Sequence, residues 1–414
     1  MRYFLQSRLS PFKYPAFRSF FIVQGLSQIG TWSSDLAKSW IVLDQLGAAA
    51  ALGSLLLARA LPGLFFILHG GVIVDRLNAQ KLLIFTKALF ALLSVSLGLL
   101  VLFIPIQLWH LLLFALAEGL INSLDTPAYQ SLYSRLVPRK DFQQALALNV
   151  TNFHTGRMMG PLVAGLLMAA QGPALVFFFD ALSYVFLILL LVKLKLQPRP
   201  ANTSSPNAHS SFHNLLKGLQ YIWQTPRIRY TLSQLLLNVC LMFPLVIVVF
   251  RAYMQITFHL SAEQFGYVFS FPALGALLSA ICFTALKPQN PLRVLWFAIP
   301  LLPFFSILVT LTSHLFWATF FLSLSGFFAN LAFSTLTVTT HLFVKEEFRG
   351  RVASFIGLSF LSIGPLMTFP IGYVADLLGY KEIIYLLSFI YLILSGLLAL
   401  KVRAEKSSSS ISHN

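Results

Sequence analysis

The sequence predicts an all-α membrane protein, with twelve transmembrane helices in two six-helix bundles related by a parallel repeat. Three observations predict it. The first is composition: of 414 residues 57% are hydrophobic, only 10% are charged, and 40 are phenylalanine. With a mean hydropathy of +0.78, a soluble domain of this size has no interior large enough to hide its apolar surface. The second is spacing, because windows of about 20 mostly apolar residues, enough to cross a bilayer core of roughly 30 Å, recur along the whole chain. The third is an echo at half the chain length: Gly119 and Gly326, Leu124 and Leu331, and Val137 and Val344 all lie 207 apart, and Gly160-Pro161 and Gly364-Pro365 lie 204 apart. Parallel repeats with a binding site at their interface are one way in which membrane transporters are built.

Taken in order, the spans alternate with basic segments. Arg2, Arg8, Lys13 and Arg18 precede or open the first span, 17–45, and the second, 48–74, ends at Arg76 and Lys81. Spans three and four, 80–104 and 107–134, end at Arg135, Arg139 and Lys140. Spans five and six, 142–170 and 173–194, lead to Lys193, Lys195, Arg199, Lys217, Arg227 and Arg229. The second half repeats the scheme: 229–255 and 262–286 reach Lys287 and Arg293, and 292–312 and 315–342 reach Lys345, Arg349 and Arg351. The last pair, 350–376 and 380–401, is followed by Lys401, Arg403 and Lys406. These groups hold 23 of the 29 Lys and Arg, so both termini and the long middle loop are expected in the cytoplasm of a cell whose inner membrane holds the protein. None of the spans alternates polar with apolar residues, which argues against a β-barrel.

The expected organisation is a cytoplasmic segment 1–16, a helical bundle 17–194, a cytoplasmic linker 195–228, a second bundle 229–401 and a disordered tail 402–414. Within the linker, 195–211 reads as disordered, whereas FHNLLKGLQYIWQTP has the pattern of an amphipathic helix on the membrane surface. The first 16 residues are basic and lack a signal-peptide cleavage pattern. A net charge of +16 spread over helix ends fits a membrane surface, not nucleic acid. Cys240 and Cys282 fall inside predicted helices and read as packed apolar residues.

Five separated blocks occur in register: QIGTWSSDLAKSWIVLDQLGAAAALG (28–53), GGVIVDRLNAQKLL (70–83), DTPAYQSLYSRLVPRKDFQQALALN (125–149), GRMMGPLVAGLL (156–167) and RGRVASFIGLSFLSIGPL (349–366). Over residues 17–400 they resemble the enterobactin-exporter-like branch of the major facilitator superfamily. The resemblance implies alternating access and efflux of siderophores, antibiotics or other small amphipathic molecules, mostly by proton antiport. Gly71, Asp75 and Arg76, with Lys81, resemble the superfamily's motif A, whose carboxylate caps a neighbouring helix at the inner gate. Asn78, Ala79 and Gln80 depart from it, standing where Gly and Arg are usual, and a basic residue of this loop is expected to pair with Asp125. Gly156, Gly160, Pro161 and Gly165 resemble motif C of exporters. Small residues four apart let helices approach closely, and proline removes a helical hydrogen bond; plain helix packing in any transporter also explains them. The motif B arginine is absent, with Ala115 in its place.

Asp35, Arg59, Glu118 and Arg157 fall near one depth, close to the midplane, with Lys38 one turn from Asp35. Two readings stay open. In one, Asp35 or Glu118 exchanges a proton or meets substrate; in the other, Asp35–Arg59 and Glu118–Arg157 are neutralising pairs that hold helices together. The second half offers only neutral central groups, such as Asn238 and Asn330, amid phenylalanines. That surface suits an apolar substrate. His69 and His154 are weaker candidates. No metal-ligand spacing, Walker A loop, cofactor site or nucleophile–base pair is recognisable. The expectation is therefore a monomeric carrier without cofactors, working with protons and a small amphipathic substrate in the lipid bilayer. An importer or lysophospholipid-type flippase on the same fold, or a receptor or enzyme, is the alternative.

Overall fold

The computed structural model describes residues 9–66, 77–194, 219–286 and 291–411. All regular structure among them is helical. Twelve long helices follow one another: α1 Pro15–Leu46, α2 Ala49–Phe66, α3 Ala79–Phe103, α4 Leu108–Tyr133, α5 Phe142–Gln171 and α6 Pro173–Lys193. Then come α7 Pro226–Phe258, α8 Ala262–Leu286, α9 Pro291–Leu311, α10 Leu315–Phe343, α11 Glu346–Leu378 and α12 Tyr380–Ile411. By length and composition nine of those described suffice to cross a bilayer, leaving α1, α2 and α5. The chain is a multi-pass membrane protein.

Local chemistry sets the boundaries. Proline opens α1, α6, α7 and α9, where its missing N–H is one the first turn leaves unused anyway. The tight turns after α1, α5 and α11 hold Gly47, Gly172 and Gly379 at φ of +60°, +81° and +103°, a region that L side chains rarely adopt. Asn78 caps α3, its Oδ1 accepting from the N–H groups of Gln80 and Lys81 at 3.0 and 3.3 Å. The departures from motif A thus do structural work. Gln80 adds a tie from α3 to the end of α6 by donating to the Leu191 and Leu194 carbonyls at 2.6 and 3.0 Å.

The described residues form two compact units. The first draws on Met1–Val42, Ala58–Ala208 and Leu260–Ser270; the second on Leu43–Leu57, His209–His259 and Phe271–Asn414. The units therefore follow the two halves of the sequence, except that the α1–α2 tip joins the second and the start of α8 joins the first. At the end of the first unit that bears the basic connections, Phe17, Phe20, Leu83, Leu132, Val137 and Leu187 pack together. In the second unit Ile228, Leu232, Leu336, Val344 and Val352 do the same.

The repeat is visible in the packing. Gly119 of α4 sits on the backbone of Arg59 and on Pro62 of α2, and Gly326 of α10 sits on Pro272 of α8. Gly160 of α5 sits on Trp32 and Ser33 of α1, as Gly364 of α11 sits on Val239 and Phe243 of α7. Each glycine pair thus serves the same helix pair of its half; a side chain at Gly119, Gly160 or Gly326 would force the helices apart, and one at Gly364 would press on the Val239 and Phe243 side chains. Away from these seams, large apolar side chains such as Phe103, Phe316 and Leu342 are exposed, as lipid-facing surfaces are.

Two expectations change. α12 continues to Ile411, through a tail expected to be disordered from 402; Ala404, Glu405 and Lys406 favour helix, and no Gly or Pro stops it. α7 and α11 are not uniform α-helices, because Asn238–Met242, Leu245–Val249 and Ser359–Ile363 are π-helical. Of the expected surface helix, residues 219–224 are helical; the linker 195–211 lies outside the described residues.

Candidate functional site

Three helices of the first unit bring four of the predicted charges into one network. Asp35 and Lys38 come from α1, Arg59 from α2 and Glu118 from α4. Arg59 Nη1 lies 2.8 Å from both oxygens of Asp35. Lys38 Nζ lies 2.8 Å from both oxygens of Glu118 and 3.1 Å from Asp35 Oδ1. Arg59 Nε closes the ring at 3.8 Å from Glu118 Oε2. Gly119 explains the closeness: without a side chain there, the Arg59 backbone rests on α4 beside Glu118. Each charge is about ten residues from a helix end, roughly 15 Å along the axis, which is near the middle of a bilayer core of about 30 Å.

Two carboxylates and two cations cancel, so the network tolerates burial that a lone ion would not. Lys38 is almost inaccessible, whereas the side chains of Asp35 and Arg59 remain 24% and 29% exposed. The network is therefore closed around Lys38 and partly accessible at Asp35 and Arg59. Arg157 does not join it. Its guanidinium stands 5.9 Å from the ring centre of Trp32, a residue that Gly156 and Gly160 admit against α5. The expected Glu118–Arg157 pair is thus replaced by Glu118–Lys38, because Lys38 projects from α1 toward α4 while Arg157 faces an aromatic ring.

Asp125 is also partnered differently from expectation. It is buried, accepting from Thr86 Oγ1 at 2.6 Å and pairing with Lys87 at 2.8 Å, both on α3. Lys81 is exposed at the start of the same helix. Gly71, Asp75, Arg76 and His69 lie outside the described residues. The helix 5 residues divide their contacts: Gly156 and Gly160 face α1, while Gly165 and the Pro161 carbonyl meet Gly266 of α8. α5 continues unbroken through Pro161. His154 is half-buried, with its Nδ1 unpartnered among the described residues.

Sequence reasoning passed over three charged residues. Lys87 is one, the partner of Asp125. Asp180 of α6 is another, buried and hydrogen-bonded by Ser94 at 2.8 Å. Both stand alone in apolar runs, FTKALF and FFFDALS, which was the available signal. The third is Asp376 at the end of α11, whose oxygens accept from the N–H groups of Ala49 and Ala50 at 2.9 and 2.8 Å. In the second unit Asn330 donates to the Ala276 carbonyl and to Ser279, tying α10 to α8. Asn238 lies 3.5 Å from the Tyr391 hydroxyl. Phe243, Phe333 and Phe360 form an aromatic group around the π-helical turns, with centroids 5.4–5.5 Å apart. Among the described residues no cluster of metal-ligand type occurs.

A family model described as a transmembrane secretion effector matches residues 6–414. The chain belongs to this family. It is a transporter of the major facilitator superfamily and not an enzyme. The multidrug efflux pump Tap of Mycolicibacterium fortuitum is 24% identical over 361 residues, covering 83% of this chain and 85% of the relative. The enterobactin exporter EntS of Shigella flexneri is 26% identical over 216 residues, 52% of this chain and 49% of its own length. The fold is that of the nucleoside transporter NupG, with a TM-score of 0.74 at 13% identity over 93% of this chain and 98% of that one. An inward-facing, occupied bacterial homologue of the lysosomal transporter Spinster gives 0.68 at 15% identity, covering 94% and 96%.

Proposed function

We propose that this protein exports small amphipathic molecules across the cytoplasmic membrane by alternating access, driven by proton antiport. The observation that carries the transport reading is the four-charge network of Asp35, Lys38, Arg59 and Glu118. Ionisable groups at membrane depth are costly and are kept where ions or substrates pass. Efflux, and siderophores or drugs as substrates, are supported by what the relatives are named for. The aromatic group of Phe243, Phe333 and Phe360 supports an apolar or aromatic substrate. The basic residues counted above support cytoplasmic termini, and reporter fusions at 205 and at the C-terminus should both behave as cytoplasmic. Asp75 and Arg76 are assigned to the inner gate on their match to motif A.

The test is accumulation of ethidium and a panel of amphipathic antibiotics in a host stripped of its own efflux pumps. Expression should lower accumulation of at least one compound, and a protonophore that collapses the pH gradient should abolish the effect. Unchanged accumulation across the panel, or efflux indifferent to the protonophore, counts against the reading.

A further inference from the structure

Asp180 lies on α6 seven residues past Pro173, roughly 10 Å along the helix, and is 3% exposed. Its Oδ2 accepts one hydrogen bond, from Ser94 Oγ of α3. Its Oδ1 has no hydrogen-bond partner among the described residues, and none of the ion pairs among them includes it. Gly30 brings α1 directly onto this carboxyl, since a Cβ there would stand 2.9 Å from Oδ1.

The surrounding charges are already committed. On α1 and α4, Lys38, Asp35 and Glu118 are within electrostatic reach of Asp180, but they balance one another and Arg59 of α2. On α3, Lys87 belongs to Asp125. On α5, Arg157 stands over Trp32. One turn along α6, the Tyr184 hydroxyl shares a hydrogen bond with Thr31. A carboxylate held by one neutral donor, with no counter-ion, is far costlier to bury than the same group carrying its proton. Asp35 and Glu118 are in the opposite position, since each already has a cation as its partner.

We propose that Asp180, not Asp35 or Glu118, is the group that takes up and releases the exchanged proton. The step is a simple one: the carboxyl O–H gives its proton to water and becomes a carboxylate, and rebinding reverses it. Movement of α1 across Gly30 alters the space beside Oδ1 and the distance to Lys38, and so couples release to the change of access. The inference rests on the proton-coupled reading above.

Infrared difference spectroscopy of the purified protein in lipid, scanned in pH, tests it without a known substrate. Wild type should show the carbonyl stretch of a protonated carboxyl that shifts in heavy water and disappears as the pH rises. The band should be absent from Asp180→Asn, retained in Asp35→Asn and Glu118→Gln, and restored with a displaced midpoint in Asp180→Glu. A wild-type spectrum without the band, a band surviving in Asp180→Asn, or a band that does not titrate overturns the assignment. A band that behaves as expected beside efflux indifferent to a pH gradient leaves the proton site standing and removes the antiport reading instead.

Discussion

Asp376 caps a helix that begins 327 residues earlier in the chain: its two oxygens accept from the N–H groups of Ala49 and Ala50, the first turn of α2. A carboxylate in the last turn of α11 sits at the negative end of its own helix dipole, and the positive end of α2 offsets that cost. The Tyr380 hydroxyl, 2.6 Å from Asp376 Oδ1 and 3.1 Å from the Gly47 carbonyl, secures the same corner by donating to one at a time. Nearby, Thr368 donates to the Gly53 carbonyl and Gly372 rests on Ala49.

Asp376→Ala should therefore loosen the corner formed by α2 and α11. Removing a cap costs about 1 kcal/mol, roughly a fivefold change in the ratio of closed to open corner. A cysteine at Leu52, which is fully buried, reports it when Cys240 and Cys282 are replaced by Ser. Maleimide labelling of Leu52→Cys should accelerate about fivefold with Asp376→Ala and little with Asp376→Glu. Equal labelling in all three would show that the corner is held by the glycine packing alone.

The seam glycines make a paired prediction. Gly119→Val and Gly326→Val each place methyl groups on a neighbouring helix backbone, and such overpacking costs typically about 1–3 kcal/mol. Both should lower the temperature at which the purified protein loses its monodisperse peak in size-exclusion chromatography. Gly350→Val, at a position open in space, should not. A loss in only one of the two seam variants would mean that the halves do not use the repeat alike.

Outside the membrane, Asp141 anchors the segment ahead of α1, accepting from Ser10 at 2.5 Å and from Tyr14 at 2.8 Å. These two hydrogen bonds hold its carboxyl below the ordinary carboxylate value of 3.8. A depressed folded value means that the anchor is fully present above the ordinary value and is lost as pH falls through the lower one. Hydrogen exchange of residues 9–14, corrected for the intrinsic pH dependence of the chemistry, should thus stay flat from neutral to mildly acid solution. It should rise at neutral pH in Asp141→Ala. A rise beginning well above the ordinary carboxylate range in wild type would assign the anchor to another group.

For the inner gate, Asp75→Asn should impair efflux while leaving protein level and membrane insertion nearly unchanged, as expected of a contact made in only one state of the cycle. Wild-type efflux by this variant would make the loop an ordinary polar connection. Asn78, already spent on capping α3, and Gln80, spent on α6, would then stand as the reason the loop has lost its gating charges.

The helices and the repeat were legible because hydropathy and glycine spacing are properties of the chain itself. Four members of the charge network were legible for the same reason, that a charge in an apolar window needs company; Arg157, expected among them, stands over Trp32 instead. Pairing was not. Depth along a helix can be counted, but the direction in which a side chain points depends on rotation about the axis, and that decided Lys38 over Arg157 for Glu118. Asp180 was missed because depth was counted from the midplane, and it lies nearer the end of α6. Nothing local in the ADLL of α11 reveals that Asp376 serves a helix of the other half. The π-helical turns of α7 and α11 likewise leave no mark in composition.

The last prediction separates structure from transport in the charge network. Glu118→Gln leaves Lys38 and Arg59 facing Asp35 alone, a buried excess of one positive charge. Removing one partner of a buried ion pair costs about 3–5 kcal/mol, so the amount of folded protein in the membrane should fall several-fold. Adding Lys38→Met removes the stranded cation and fills its space with an unbranched apolar chain, leaving Asp35 with Arg59. The double variant should recover most of the lost protein, because an apolar replacement of a whole buried pair is often neutral. Protein level is read by a fluorescent C-terminal fusion and by size-exclusion profile, efflux by dye accumulation per folded molecule. Recovery of both level and pH-driven efflux would make Lys38 and Glu118 a brace around the transport path. Recovery of level without efflux would place one of them in contact with substrate. No loss in Glu118→Gln alone would show that the network does not hold α1 to α4.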